Sequence, residues 1–344
     1  MIDSILEDMP RPAARRKRTT TDWRRRHPVV TLVITRVGLG VITLFAVSIV
    51  IFLATQALPG NAATAVLGAS ATPERIAAIE EQLRLNDPLI VQYGSWIGGV
   101  LTGNLGTSFA NGQPVWDLVA PRLANSAVLL AGAVVVGTIL AGALGLLAAA
   151  RRDSWFDGIS STISLAIAAL PEFIVAIALL ILLSTNVLHL LPAVSTIPPG
   201  VSPLADISLL VLPIATLAIV ISPYMFRMMR GAMIEALESD YAEMAGLKGI
   251  ARWRILLMHA WPNALPPVIQ VIGLNLLYLA GGIVVVENVF NYPGVGDGLV
   301  DAVANRDIPT IQFIVLVLAA FYVLVNIATD VIALLASPRR RVPR

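Results

Sequence analysis

Apolar residues along this chain gather into six long blocks, approximately Val37 to Leu58, Ala124 to Ala150, Ile159 to Leu183, Ile207 to Met225, Leu265 to Val286 and Ile311 to Ala333. Each reaches or approaches the roughly 20 helical residues that cross a hydrocarbon layer about 30 Å thick. The pattern predicts an all-α, polytopic membrane protein with six transmembrane helices, and it divides the chain. Residues 1–28 form an N-terminal arm, 29–336 a transmembrane domain and 337–344 a short tail. Within the domain, residues 59–123 make a large loop between the first two spans, and residues 228–262 connect spans four and five.

The large loop has its own helical signals. Thr72, Pro73 and Glu74 read as an N-cap followed by proline at the first helical position, opening an amphipathic helix through Leu85. Leu89 to Leu101 reads as a second helix, with Tyr93 and Trp96 suited to a membrane interface. Gly103, Gly106 and Gly112 then interrupt the pattern. In span two, Ala133, Gly137, Ala141 and Gly145 recur at four-residue spacing, leaving one face bare enough for another helix backbone to approach. Pro171 falls inside span three, and Pro213 and Pro223 inside span four. Each removes a backbone hydrogen bond and favours a kink, which either opens a central cavity or is absorbed in a packed bundle.

Composition agrees with the blocks: 57% of the residues are hydrophobic and 13% charged, against about a quarter charged in a soluble domain. The sequence pI of about 9.1 suggests a basic protein, but its basic residues follow the spans rather than a nucleic-acid surface. Of the 24 lysines and arginines, all but Arg75, Arg84, Arg122 and Arg306 fall on one side if the spans alternate. The positive-inside rule then places both termini in the cytoplasm of a cell-membrane protein. The basic arm is a topology signal, with attraction to anionic lipid as the other reading. A cleaved signal peptide fits poorly, because the first apolar block is too long and its basic leader is extended.

Candidate chemistry is sparse. With no cysteine, disulfides, thiolate-ligated zinc and iron-sulfur clusters are excluded. His27, His189 and His259 form no His-x-x-x-His pair. A nucleotide phosphate loop needs glycine directly before its lysine, yet Lys17 follows Arg16 and Lys248 follows Leu247. The chain therefore supplies no such loop, and ATP-driven work has to come from another subunit.

Glu172, Glu287 and Asp330 are the acids singled out in or beside the apolar blocks, where a charge at midspan costs about 2.5 to 3.5 kcal/mol on insertion scales. Glu172, directly after Pro171, either lines a path and receives a cationic amine or is satisfied by backbone groups that the proline frees. Glu287 is expected to tie down the Phe290 to Gly296 turn, and Asp330 to pair with a nearby basic residue.

Ser239 to Gly249, between spans four and five, is the most structured polar stretch. Asp240 is expected to cap a short helix, with Glu243 reaching back in a capping box. Gly249 suits the left-handed residue that ends it, and Lys248 complements the negative helix terminus. Tyr241, Met244, Ala245 and Lys248 share one predicted face. A short, capped helix of this kind suits a partner's groove.

The segment Glu243-Met244-Ala245-Gly246-Leu247-Lys248-Gly249 resembles the EAA loop of ABC importer permeases, with Met244 at the middle alanine position. His259-Ala260-Trp261-Pro262-Asn263-Ala264 resembles the later part of that motif in peptide importers. Asp87-Pro88-Leu89, Gly103 to Phe109, Glu287 to Gly296 and Asn326 to Asp330 resemble the first permease subunit of dipeptide, oligopeptide and nickel importers. The resemblance implies a type I ABC importer permease fold. It also implies a second homologous permease subunit, two cytoplasmic ATPase subunits carrying ATP and Mg, and an extracytoplasmic substrate-binding protein, with no catalysis and no cofactor on this chain. Asp240, Tyr241, Glu243, Met244, Ala245, Lys248 and Gly249 would be the ATPase-coupling residues, and Glu172 a residue of the translocation path. An ion-gradient-driven transporter or channel is the rival reading of the spans alone.

Overall fold

In the computed structural model, residues 28–57, 72–74, 86–185 and 188–336 are described. The basic arm, the tail and most of the helix expected from Thr72 to Leu85 lie outside them. In chain order, the main helices are α1 (Pro28–Gln56), α2 (Leu89–Thr102), α3 (Val115–Ala150), α4 (Trp155–Ala168) and α5 (Glu172–Leu180). There follow α6 (Ser208–Leu237), α7 (Asp240–Leu247), α8 (Trp261–Val289), α9 (Val295–Ala304) and α10 (Ile308–Ala336). Among the described residues, five helices are long and apolar enough to cross a membrane, or six spans if one bent pair is counted as a span.

Span three is interrupted at Pro171, as expected, but by far more than a kink. It is broken into α4 and a second half, Glu172–Thr185, bent by 105°. The cause is local. Pro171 has an extended backbone, φ −60° and ψ 147°, and has no N–H to continue the ladder of α4. The second half ends in a π-helical turn, Ile181–Thr185. Pro213 and Pro223, by contrast, sit within α6 without breaking it.

α6 is the centre of the bundle, packed by α3, α4, α5 and α8, while α1 pairs with α10 and α10 with α8. The small-residue stripe of α3 makes the closest of these contacts possible, since Ala133, Gly137, Ala141 and Gly145 are all buried. A Cβ on Gly145 would stand 2.7 Å from the Phe226 carbonyl oxygen and 2.9 Å from Met229 Cβ. The opposite face of α3, with Val135, Ile139, Leu140, Leu144 and Leu147, is exposed and wholly apolar, as a lipid-facing surface requires.

Two buried carboxylates hold the end of the bundle where α8 meets α9. Glu287, fully buried, accepts from Ser126 Oγ at 2.5 Å and from the backbone N–H groups of Gly296 and Asp297 at 2.7 and 3.2 Å. It fixes the Phe290 to Gly296 turn, as expected. Around it, Tyr292 donates to the Asn125 carbonyl at 2.9 Å, and Arg122 pairs with Asp297 at 2.8 Å. Burial pushes the Tyr292 phenol well above its ordinary range. Asp307 accepts from Ser108 Oγ, Phe109 N and Thr310 Oγ1, tying the loop after α2 to the start of α10. Asp330 finds its cation, with Arg36 Nε 2.7 Å from Oδ2.

Candidate functional site

α6 continues to Leu237, through residues 228–237 of the expected connecting loop, and α7 begins after two residues, Glu238 and Ser239. Its N-terminus differs from the expected capping box. Ser239 is the cap residue, Asp240 is already the first helical residue, and no side chain caps the exposed N–H groups. Ser239 Oγ instead donates backward to the Ala236 carbonyl at 2.6 Å. Glu243 therefore lies a residue too far along to close a box, and its carboxylate is exposed.

The C-terminus is as the sequence predicts. Gly249 has φ +76°, its N–H bonds the Gly246 carbonyl at 2.9 Å, and the Ile250 N–H bonds the Ala245 carbonyl at 3.1 Å. These are the two hydrogen bonds of a Schellman motif, and Ile250 packs against the cluster containing Ala245.

The faces of α7 correct the predicted grouping. Ala245 turns inward with Ala242 onto Ile255, whereas Tyr241, Met244 and Lys248 are exposed. Alanine is small enough to bring the helix close to its support, and the larger side chains point away. Sequence reasoning missed two further exposed apolar residues here: Leu247, 76% exposed, and Trp253, 59% exposed. Their signal was present, because large apolar residues in a charged loop have no lipid or core to enter.

Behind α7 opens a cleft of about 1020 Å³, lined by Arg151, Arg152, Glu238, Glu243, Arg252 and Trp253 among others. Arg152 and Glu238 pair across one edge, and the hydrogen bond that Arg152 donates to the Glu238 carboxylate pushes its guanidinium above its usual value. After the cleft the chain passes through a π-helical segment, Ile255–Ala260, into α8. Asn263 Nδ2 donates to the His259 carbonyl at 2.7 Å, bonding the two halves of that junction. Among the described residues no group of three or more metal-ligating side chains converges.

The second sequence candidate lies apart from this loop. Glu172 opens α5 at the break in span three and accepts from Tyr278 Oη of α8 at 3.2 Å.

The stretch that holds α7 and its junction lies inside a match to a known family. A family model described as the binding-protein-dependent transport system inner membrane component matches residues 141–342, and the model of its N-terminal part matches residues 29–130. The chain belongs to this family. Among its relatives, a probable peptide ABC transporter permease of Sinorhizobium fredii is 36% identical over 86% of this chain and 94% of that protein. A putative peptide transport system permease of Brucella abortus is 37% identical over 90% and 98%. A glutathione transport system permease of Escherichia coli is 34% identical over 88% and 96%.

The protein is thus a permease subunit of an ABC importer, a multi-pass membrane component without catalytic activity. ATP is consumed on its ATPase partners, and substrate reaches it from a binding protein. The rival reading as an ion-gradient transporter has no support in these likenesses.

Proposed function

We propose that this permease forms half of a translocation path for peptides or a closely related small solute, and that α7 is its point of attachment to an ATPase. A second, homologous permease supplies the other half. Two ATPase subunits with ATP and Mg lie on the cytoplasmic side, together with both termini, and an extracytoplasmic binding protein delivers substrate. Peptide is favoured because the relatives above are named as peptide and glutathione permeases.

The observation that carries the coupling assignment is the build of α7. Ala242 and Ala245 are buried against Ile255, and the Schellman motif fixes the far end. Tyr241, Met244, Leu247 and Lys248 are left outward. A short helix held by small residues and presenting large ones is the shape that enters a hydrophobic groove. Glu243 and Asp240 add acid at its N-terminal turn, where they favour a basic rim on the ATPase. The extent of α6 supports movement of α7 as the end of a spanning helix, so that closure of the ATPases would displace the bundle rather than a loop.

The test is uptake of a labelled dipeptide and of glutathione into proteoliposomes holding the assembled complex, with ATP on the ATPase side and binding protein on the other. ATP-dependent accumulation of one of them supports the reading. Accumulation driven by an ion gradient through this chain alone would overturn it.

A further inference from the structure

One face of α8 is unlike a lipid-facing surface. Gln270, Leu274, Tyr278 and Gly281 follow one another at spacings of four, four and three, and all are exposed. Tyr278 is 54% exposed although it lies about 16 Å of helix rise from the Val289 end, deep within an apolar helix. Beside it is the half-buried carboxylate of Glu172, which accepts only the Tyr278 hydroxyl among the described residues and pairs with no cation. The exposed face of α3 carries no polar group between Ala131 and Leu147. A carboxylate, a phenol and an amide together on an exposed membrane face require water or protein in front of them.

The geometry leaves room there. Gly281 and Gly282 leave α8 without side chains next to the acid, and a Cβ on Gly282 would stand 3.4 Å from Glu172 Oε1. On Gly281 a Cβ would meet nothing within 4 Å. The break at Pro171 places Glu172 at the first turn of α5, so its carboxylate reaches the α8 face instead of being enclosed in a continuous span three. Tyr278 supplies a fixed donor to one oxygen, leaving the other oriented toward the glycines.

We infer that Glu172 and Tyr278 form a recognition point for a protonated primary amine, such as the N-terminus of a peptide, on the path-facing side of the permease. The inference rests on the reading of the chain as half of a peptide path. The carboxylate provides the charge complement and the phenol ring an exposed π-face for the same cation. The bare glycine backbone admits the ligand without a side chain to displace. In a partly wet site the attraction is modest, which suits a passing substrate that must leave again.

The absence of cysteine from the chain makes a direct test possible. Cysteine is introduced as Gly282→Cys, or as Gly281→Cys if the first variant does not assemble. The complete complex is then treated with methanethiosulfonate reagents bearing either an ammonium or a sulfonate, with and without trapped nucleotide. The thiolate reacts faster with the cationic reagent wherever it lies, so both rates are divided by those of a small free thiol. The normalised ammonium-to-sulfonate ratio should be about tenfold, as expected for a nearby carboxylate at intermediate dielectric. It should fall to about one when Glu172→Gln is added. A normalised ratio near one with Glu172 present, a ratio that survives Glu172→Gln, or no labelling in either state would overturn the site. The labelling does not depend on peptide uptake. A charge preference in a complex that imports no peptide would sink the peptide reading while leaving the amine site standing.

Discussion

Arg230 of α6 grips Asp157 of α4 with two parallel hydrogen bonds, Nε to Oδ1 at 2.6 Å and Nη2 to Oδ2 at 2.7 Å. The Asp157 side chain is 5% exposed and that of Arg230 30%. The pair joins the first half of the broken span three to the helix that leads into α7.

Removing the arginine leaves the Asp157 carboxylate buried without its cation. Arg230→Met should lower stability by roughly 3 kcal/mol, the low end for a broken buried pair because Asp157 keeps the Asp153 backbone N–H as a donor. The double variant Arg230→Met with Asp157→Leu should recover most of that loss, since two apolar residues leave no orphan charge. Thermal unfolding of the purified complex in detergent reads both values, and a double variant as unstable as the single one would show that the pair is not the cause.

Gly249 tests whether the Schellman end of α7 matters through its backbone. A Cβ there would meet nothing within 4 Å, so the cost of substitution comes from φ +76° alone. Gly249→Val should strain the turn by about 1 to 2 kcal/mol and separate ATP hydrolysis from uptake. Gly249→Asn, which tolerates the left-handed region, should keep them coupled. The ratio of peptide imported to ATP hydrolysed measures this, and equal ratios for the two variants would rule the turn out.

Glu243 makes no cap, so its loss should not loosen α7. Glu243→Ala is expected to leave the melting temperature of the permease in place while weakening ATPase attachment, measured as the salt dependence of complex dissociation. A fall in melting temperature with unchanged attachment would return Glu243 to a purely structural role.

At the other end, Glu287 receives two backbone N–H groups and a hydroxyl. Glu287→Gln places an amide donor where one of these donors now points. It should cost about 1 to 3 kcal/mol. Gly294→Ala should cost at least as much, because its methyl group would overlap the Glu287 carboxylate. Limited proteolysis at the Phe290 to Gly296 turn should become faster in both.

Hydrophobic blocks made the spanning helices legible, and the small-residue stripe of α3 announced a close helix contact, though not that α6 would make it. Pro171 signalled an irregularity but not its size: the same residue type leaves α6 unbroken at Pro213 and Pro223, where surrounding helices hold the backbone in line. Gly249 was legible because positive φ is nearly a glycine property. The failed capping box was not. Its outcome turned on Ser239 bonding back to Ala236, a choice between two local hydrogen bonds of similar strength that spacing cannot decide. The inward turn of Ala245 depended on where Ile255 lies after a π-helical segment, which is a tertiary fact.

α6 has 30 residues and is therefore about 45 Å long, against a hydrocarbon layer of about 30 Å. Its Leu237 end has length to spare, enough to hold α7 out among the headgroups or past them. A folded, water-soluble motor can then be added or exchanged after the spans have been inserted, with no lipid to displace. With α7 as the proposed attachment point, biogenesis can run in two steps, membrane insertion first and attachment of the ATPase afterwards.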